Sequence, residues 1–169
     1  MLRRTFLSTI AVCALASQAF AADGRKPAAS GGRKASLADS RRPTAEEVRT
    51  LTLKAADLIV REGLAAAIDR FNLPGEFKQG EIYVNVIDFE GVWRCYPPKP
   101  EWVGQSVLNV KDVDGRYLVQ EILAMAIDPG EGWVEYKWLN PASRTIRPKR
   151  TFVKRVPGKQ LITYVGFYE

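Results

Sequence analysis

The spacing of the apolar residues changes after about residue 72, from the period of a helix to the period of a strand. Between Thr44 and Asn72 the apolar residues recur three and four positions apart, which places them on one face of a helix. From Glu81 to Asp88 the side chains alternate with period two, as on a strand. A chain that begins with helices and continues mainly with strands is typical of an α+β fold, in which helices cover a sheet.

Two helices are predicted before this change. The first begins at Thr44, after Pro43, and Thr44 forms a capping box with Glu47. Gly63 is expected to break or bend this helix, and a second short helix then runs to Asn72. The apolar faces consist of Val48, Leu51, Ala55, Leu58 and Ile59 in the first helix and of Leu64, Ile68 and Phe71 in the second.

Five strands and a third helix are predicted in the remainder of the chain. The strands are expected at Glu81–Asp88, Val92–Tyr96, Trp133–Leu139, Pro148–Val156 and Leu161–Tyr168, and the helix at Tyr117–Ile127. Short turns make consecutive strands antiparallel, so we expect a five-stranded antiparallel sheet. Asp112 and Asp114 resemble the start of a calcium loop but lack its later ligands, and we interpret them as N-capping residues of the third helix.

The first 21 residues have the pattern of a secretory signal peptide. Arg3 and Arg4 precede an apolar run of 11 residues, and Ala19-Phe20-Ala21 fits the cleavage pattern. An uncleaved anchor is the alternative, but a membrane span needs about 20 apolar residues. We therefore predict cleavage after Ala21, a periplasmic or secreted protein, and no integral membrane segment. Arg3-Arg4-Thr5-Phe6-Leu7 also fits the twin-arginine form, so either export route is open.

The excess positive charge lies outside the predicted domain. The formal net charge is +6, but residues 44–169 contain 17 basic and 17 acidic residues. The surplus therefore belongs to the signal and to residues 22–43, a Gly/Ser/Ala/Pro-rich segment that we predict to be a disordered basic linker. Adhesion of this linker to an anionic surface is the alternative to a merely solvated leader. No nucleic-acid partner is expected.

The absence of histidine excludes several classes of active site. Without His there is no Ser-His or Cys-His nucleophile pair and no His-ligated zinc or haem. The chain has two Cys, of which Cys13 lies in the predicted signal, so Cys95 would be the single thiol of the mature chain. We therefore expect no enzyme, no cofactor and no metal site.

Six short segments occur in the order that is typical of single Cache domains. They are Gly80–Val84, Pro97–Gly104, Asp112–Arg116, Gly132–Trp138, Pro148–Val153 and Val165–Tyr168. Residues 44–169 as a whole resemble this family. The resemblance implies a PAS-like sheet backed by a long N-terminal helix, with a small pocket on the other face. It also implies an extracytoplasmic sensor of short carboxylates or similar metabolites.

Two features differ from the family pattern. The sequence ends at Glu169, so we expect no second membrane helix or signalling domain and hence no direct signal transmission. Tyr96 stands where the family often has a His before a Pro, which replaces a titratable imidazole by a neutral phenol.

Six residues are candidates for binding a ligand. Lys149 matches the Lys of the family's Pro-Lys motif and is the candidate cation, although it also belongs to a basic run that could be solvated. Tyr136 and Trp138 share one strand face and could line a pocket, although such a stripe is often core. Tyr83 and Tyr96 are weaker candidates on the same reasoning. Trp133 lies on the opposite face or in the turn, where it could form a lid or pack on the surface.

The predicted function is an exported, soluble binding protein for a small organic acid, which could present the acid to a membrane receptor or kinase. The alternative is a non-enzymatic interaction module whose pocket is filled by its own side chains.

Overall fold

The computed structural model describes residues 42–169. The predicted signal peptide, residues 1–21, and all but the last two residues of the predicted linker, residues 22–43, lie outside this range. Within the described range, no helix is long and apolar enough to cross a membrane.

The N-terminal helix α1 spans Ala45–Glu62 and begins at the predicted capping box. Thr44 Oγ1 accepts a hydrogen bond from the Glu47 N–H at 3.2 Å, and the Thr44 N–H donates to Glu47 Oε2 at 2.8 Å. Gly63, with a φ of 86°, ends α1 and precedes α2 at Leu64–Asn72. Such a positive φ favours glycine, which explains why the helical pattern is interrupted there.

The strands are short at the start of the sheet and long at its end. They are β1 (Lys78–Gln79), β2 (Ile82–Tyr83), β3 (Asn85–Asp88), β4 (Trp93–Cys95), β5 (Glu131–Asn140), β6 (Thr145–Arg155) and β7 (Leu161–Tyr168). A third helix, α3, spans Leu118–Ile127. The main sheet is antiparallel with the order β4-β3-β7-β6-β5, which confirms the predicted five-stranded sheet and the α+β class.

Two of the predicted strands differ most from the structure, and strand β1 was not predicted. The segment predicted as one strand at Glu81–Asp88 is divided at Val84: β2 pairs with β1 in a separate two-stranded sheet, and β3 joins the main sheet. Strand β6 begins at Thr145, so Pro148 lies inside it. Strand β7 ends at Tyr168, the partner of Lys149, and only the Glu169 N–H beyond it donates to the Pro148 carbonyl oxygen at 3.1 Å, so the missing N–H of Pro148 is tolerated at this end of the ladder.

Each face of the main sheet is covered by a separate hydrophobic core. Helices α1 and α2 pack against one face, where Ile59 and Phe71 meet Val86 and Val165. Helix α3 packs against the other face, where Ile122 belongs to a second cluster with Ile87, Val153 and Ile162. The predicted packing of a long N-terminal helix on the sheet is thus confirmed.

The prediction that Asp112 and Asp114 cap α3 is wrong. Asp112 Oδ1 accepts the N–H groups of Asp114 at 3.0 Å and Arg116 at 2.9 Å, which closes the loop before the helix. Helix α3 begins with Tyr117 at the N-cap and without a side-chain cap. Asp112 therefore stabilises a turn that lies a few residues upstream of the helix start, whereas the Asp114 carboxylate pairs with Lys137 Nζ on β5 at 3.0 Å.

Candidate functional site

Lys149 lies at the centre of a row of three residues on the sheet face opposite α1. Its register partners are Tyr136 on β5 and Tyr168 on β7. Directly paired residues of neighbouring strands project from the same face, so the three side chains are neighbours. The lysine Nζ atom is 4.6 Å from the centroid of the Tyr168 ring and 5.8 Å from that of Tyr83.

The Lys149 ammonium is buried without an anionic partner. The residue is 8% exposed, and within residues 42–169 its Nζ atom forms no hydrogen bond or ion pair. Burial lowers the pKa of Lys149 to about 8, and the charge of Glu81 opposes this effect only in part. An isolated buried charge is unfavourable, so this ammonium is available to an anion from solvent.

Gly166 provides the space in which the Lys149 side chain lies. It is on β7 opposite Thr151, between Tyr164 and Tyr168. A β-carbon at this position would be 2.5 Å from Thr151 Oγ1 and 2.7 Å from Lys149 Cε, both closer than such contacts occur. The lysine chain therefore crosses the backbone of Gly166, and a side chain at residue 166 would displace it.

Stacked aromatic rings from the β4 region adjoin Lys149. The rings of Trp93 and Tyr96 are parallel with centroids 4.2 Å apart, and Trp102, in a 3₁₀ turn at Pro100–Trp102, stacks beside both. Tyr83 meets Tyr96 edge to face at 6.1 Å, and Trp93 Nε1 donates to Tyr164 Oη at 3.1 Å. The rings thus form one continuous group from β2 and β4 to the lysine.

The phenols around Lys149 are neutral at physiological pH. Burial raises the pKa of Tyr83, Tyr136 and Tyr164 far above the ordinary value, and raises that of Tyr168 to about 12. Burial also raises the pKa of Tyr96, although a hydrogen bond with Tyr83 opposes the shift. These groups offer hydroxyl donors and acceptors, and none supplies a negative charge to Lys149.

Four of the six predicted residues are brought together around the ammonium: Tyr83, Tyr96, Tyr136 and Lys149. Tyr136 is buried, and its hydroxyl is 2.9 Å from Thr151 Oγ1. Trp138 is on the same face but two residues further along edge strand β5, where it is half-buried and meets the Tyr136 ring edge to face at 6.2 Å. It adjoins the group without contacting Lys149 directly.

Trp133 lies on the other face of the sheet. Its ring meets those of Phe152 and Phe167 edge to face, at 5.0 and 6.0 Å, and packs against the core beneath α1. Trp133 belongs to the core on the α1 side of the sheet, whereas Val134, Tyr136 and Trp138 belong to the core on the α3 side. Trp133 therefore packs against the core on the α1 side, cannot cover Lys149 as a lid, and is not part of the candidate site.

Several residues at the site were missed by the sequence reasoning, among them Tyr168, Trp102 and Asn85. Tyr168 contacts Lys149 from β7, and Trp102 arrives from the long connection after β4; neither contact is visible without the strand register. Asn85 is 5% exposed at the start of β3. Asn85 could have been recognised from the sequence, because it is a polar residue on the strand face that it shares with Tyr83 and Ile87.

A separate surface groove of about 500 Å³ lies at the turns after β3 and β6. Its lining includes Arg94 and Lys159, but Arg94 is already paired with Asp88 at 2.6 Å. None of the residues around Lys149 lines it. Among residues 42–169, moreover, no group of three acidic, Cys or His residues could hold a metal ion.

Comparison with protein families identifies the domain. The model for single Cache domain 2 matches residues 46–169, which cover all of α1 except its first residue, helices α2 and α3, the sheet and every site residue. The chain belongs to the single Cache domain 2 family. Cache domains are extracytoplasmic sensor domains that bind small-molecule ligands, and the assembled Lys149 group lies on the sheet face where the family resemblance placed a pocket.

Solved structures with the same fold come from chemotaxis proteins. The periplasmic sensor domain of a chemotaxis protein is 26% identical, with a TM-score of 0.58 over 73% of this chain and 88% of that chain. A methyl-accepting chemotaxis protein from Vibrio parahaemolyticus is 15% identical, with a TM-score of 0.62 over 73% and 86%. A Cache chemosensory domain, described with the structural basis of its carboxylic acid recognition, is 22% identical, with a TM-score of 0.57 over 73% and 86%.

Proposed function

We propose that this Cache domain binds a small organic acid and that Lys149 holds the acid's carboxylate. The observation that carries the proposal is the buried ammonium, which forms no hydrogen bond or ion pair within residues 42–169, although the more distant charge of Glu81 acts on it. A carboxylate from solvent would supply the missing charge and accept its N–H donors. The carboxylic acid recognition described for one domain of the same fold supports this ligand class.

The surrounding side chains have distinct roles in this proposal. Tyr83 and Tyr96 form an aromatic wall beside the ammonium, with hydroxyl groups that can hydrogen-bond to a bound acid. Tyr136, buried and bonded to Thr151, forms the floor on the β5 side. Trp138 borders the site along β5. The rings exclude water and so strengthen the interaction between ammonium and carboxylate.

The size of the ligand limits its affinity. A charge-assisted hydrogen bond contributes about 1.5–3 kcal/mol. An acid of two to four carbons has about four to eight heavy atoms, and the best small ligands reach about 1.5 kcal/mol per atom. Binding is therefore at most about 6–12 kcal/mol, and we expect dissociation constants in the micromolar range. Such affinities suit a domain that reports metabolite concentration.

Calorimetric titration of the full chain with acetate, propionate, lactate and pyruvate tests the proposal. We expect at least one acid to bind, and Lys149→Met to abolish the binding because it keeps the length of the side chain and removes the charge. Lys159→Met is the matched control: Lys159 is exposed in the turn after β6 and lines the separate groove. Full acid binding in Lys149→Met would contradict the assignment, whatever the result for Lys159→Met.

The alternative, an interaction module with a filled pocket, predicts a different outcome. The close stacking of Trp93, Tyr96 and Trp102 is the observation that favours it, since rings packed on one another occupy space that a ligand could use. In that case no acid binds, and a pull-down recovers a protein partner with the wild type and with Lys149→Met alike. We expect no turnover of any bound acid in either case.

We further propose that residues 1–21 direct export and that the ligand-bound domain acts on a membrane receptor or kinase. The Arg-rich start, the short apolar run and the Ala19-Phe20-Ala21 pattern support the first point. The chemotaxis proteins among the structural neighbours support the second. Intact-mass measurement of the exported protein tests the signal, since cleavage after Ala21 leaves Ala22 as the first residue.

A further inference from the structure

The side-chain oxygen of Asn85 is buried without a hydrogen-bond partner among the described residues. Asn85 is 5% exposed, and its Nδ2 donates to the Tyr164 carbonyl oxygen at a long 3.4 Å. Within residues 42–169 its Oδ1 has no hydrogen-bond partner. Most buried side-chain acceptors in folded proteins have a partner, so this orphan acceptor requires an explanation.

The strand register places Asn85 on the same sheet face as Lys149. Asn85 is the register partner of Tyr164, whose side chain belongs to the α3-facing core, and Lys149 is the partner of Tyr168 four residues along the same strand. Tyr83, two residues before Asn85, has its ring 5.8 Å from the Lys149 Nζ atom. The orphan acceptor and the unpaired ammonium therefore border the same group of rings.

The distance between the two groups suits one small molecule. The Lys149 chain crosses Gly166, which is two residues from Tyr164, the partner of Asn85. With a rise of about 3.3 Å per residue and a strand spacing of about 4.8 Å, the α-carbons of Asn85 and Gly166 are roughly 8 Å apart. A molecule of three or four carbons can reach from an ammonium above Gly166 to the Asn85 amide.

We infer that the ligand is a hydroxy acid, whose carboxylate pairs with Lys149 and whose hydroxyl donates a hydrogen bond to Asn85 Oδ1. This inference rests on the proposed function. A donor is required because Oδ1 can only accept. A hydroxyl fits better than an ammonium, because a second cation in this buried space would be repelled by Lys149. Asn85 then determines specificity for the hydroxyl while Lys149 determines it for the carboxylate.

Titration of the full chain with lactate, propionate and alanine tests this inference. Lactate differs from propionate by one hydroxyl in place of hydrogen, and alanine carries an ammonium at that position. We expect lactate to bind about tenfold or more tightly than propionate, since binding propionate leaves the buried Oδ1 unsatisfied. In Asn85→Leu the two affinities should become equal, chiefly through weaker lactate binding.

Each outcome has a definite meaning. Binding of none of acetate, propionate, lactate and pyruvate overturns the proposed function and this inference together, whereas binding of another acid of this panel without lactate overturns this inference alone. Equal affinities in the unaltered protein, tightest binding of alanine, or a lactate preference that survives Asn85→Leu overturns this inference alone.

Side-chain amide resonances give a second readout that needs no variant. In ¹⁵N-correlated NMR spectra, lactate should shift the Asn85 amide signal and propionate should shift it much less. The Asn72 amide is the internal control, since its Oδ1 is also buried without a partner but lies in α2, on the other face of the sheet. An Asn85 signal that responds equally to both acids would mean that its carbonyl does not contact the hydroxyl.

Discussion

Replacement of Lys149 by methionine should make the protein more stable while removing its ligand binding. Burial lowers the pKa of Lys149 from 10.5 to about 8, so holding the charged form costs the folded state about 3 kcal/mol at pH 7. Methionine has a similar length and no charge. It loses the cation–π contact with Tyr168, worth about 1 kcal/mol, so we expect a net gain of about 2 kcal/mol.

The pH dependence of stability separates this effect from better packing. Between pH 8 and 10.5 the unfolded lysine keeps its proton and the folded one releases it, so the contribution of Lys149 to the unfolding free energy should rise with pH. This contribution should rise by about 2 kcal/mol between pH 7 and 9.5, and it is measured as the change in the stability difference between the wild type and the methionine variant. Burial raises the pKa of the Cys95 thiol and of the tyrosines around the site, so their ionisation in the unfolded state lowers the stability of both proteins alike and cancels in this difference.

Urea denaturation followed by tryptophan fluorescence measures both quantities, with Lys159→Met as the control for loss of an exposed charge. The control should stay within about 0.5 kcal/mol of the wild type at each pH. A methionine variant less stable than the wild type at pH 7, with an unchanged pH profile, would refute the description of Lys149 as an unpaired buried cation.

Three other predictions concern the site and its support. Carboxylate affinity should be constant below pH 8 and fall up to tenfold per pH unit above it, because Lys149 loses its proton there. Above pH 8, binding should take up a proton, and calorimetry in buffers of different ionisation enthalpy measures this uptake. Gly166→Ala should destabilise the domain by about 1–3 kcal/mol and weaken acid binding. Gly132→Ala is the control: its β-carbon would be 2.3 Å from Met125 Sδ, so this variant should also be less stable but should bind the acid with unchanged affinity. Thr44→Ala should cost about 1 kcal/mol of stability in urea denaturation and leave binding unchanged, because it removes only the capping box with Glu47.

Local patterns were sufficient for the helices and for the strand faces. The capping box at Thr44 and the interruption at Gly63 each depend only on residues within four positions along the chain, and both are confirmed. The alternation along β5 correctly grouped Tyr136 with Trp138 and set Trp133 on the other side. The error at Asp112 has a local cause too, since an aspartate can satisfy a turn as well as a helix end.

The site itself depends on contacts between residues that are far apart in the sequence. Lys149 is beside Tyr168 because of the β6–β7 register, and beside Tyr83 because β3 pairs with the distant strand β7 as well as with its neighbour β4. The need for glycine at residue 166 can be recognised only when the Lys149 side chain is known to cross its backbone. No periodicity in a single segment carries this information, so the sequence could indicate candidate residues but not how they assemble.

The electrostatics of the site explain how one residue can control both stability and ligand binding. Every phenol around Lys149 stays neutral at physiological pH, and Glu81 only partly offsets the burial of the ammonium. Burying the charged Lys149 side chain therefore costs the folded protein about 3 kcal/mol when no ligand is bound. A bound carboxylate offsets this electrostatic cost, so part of the binding free energy comes from removing it. It follows that a substitution placing a carboxylate within reach of Lys149 should stabilise the domain and compete with the ligand, and that the two effects should vanish together in the methionine variant.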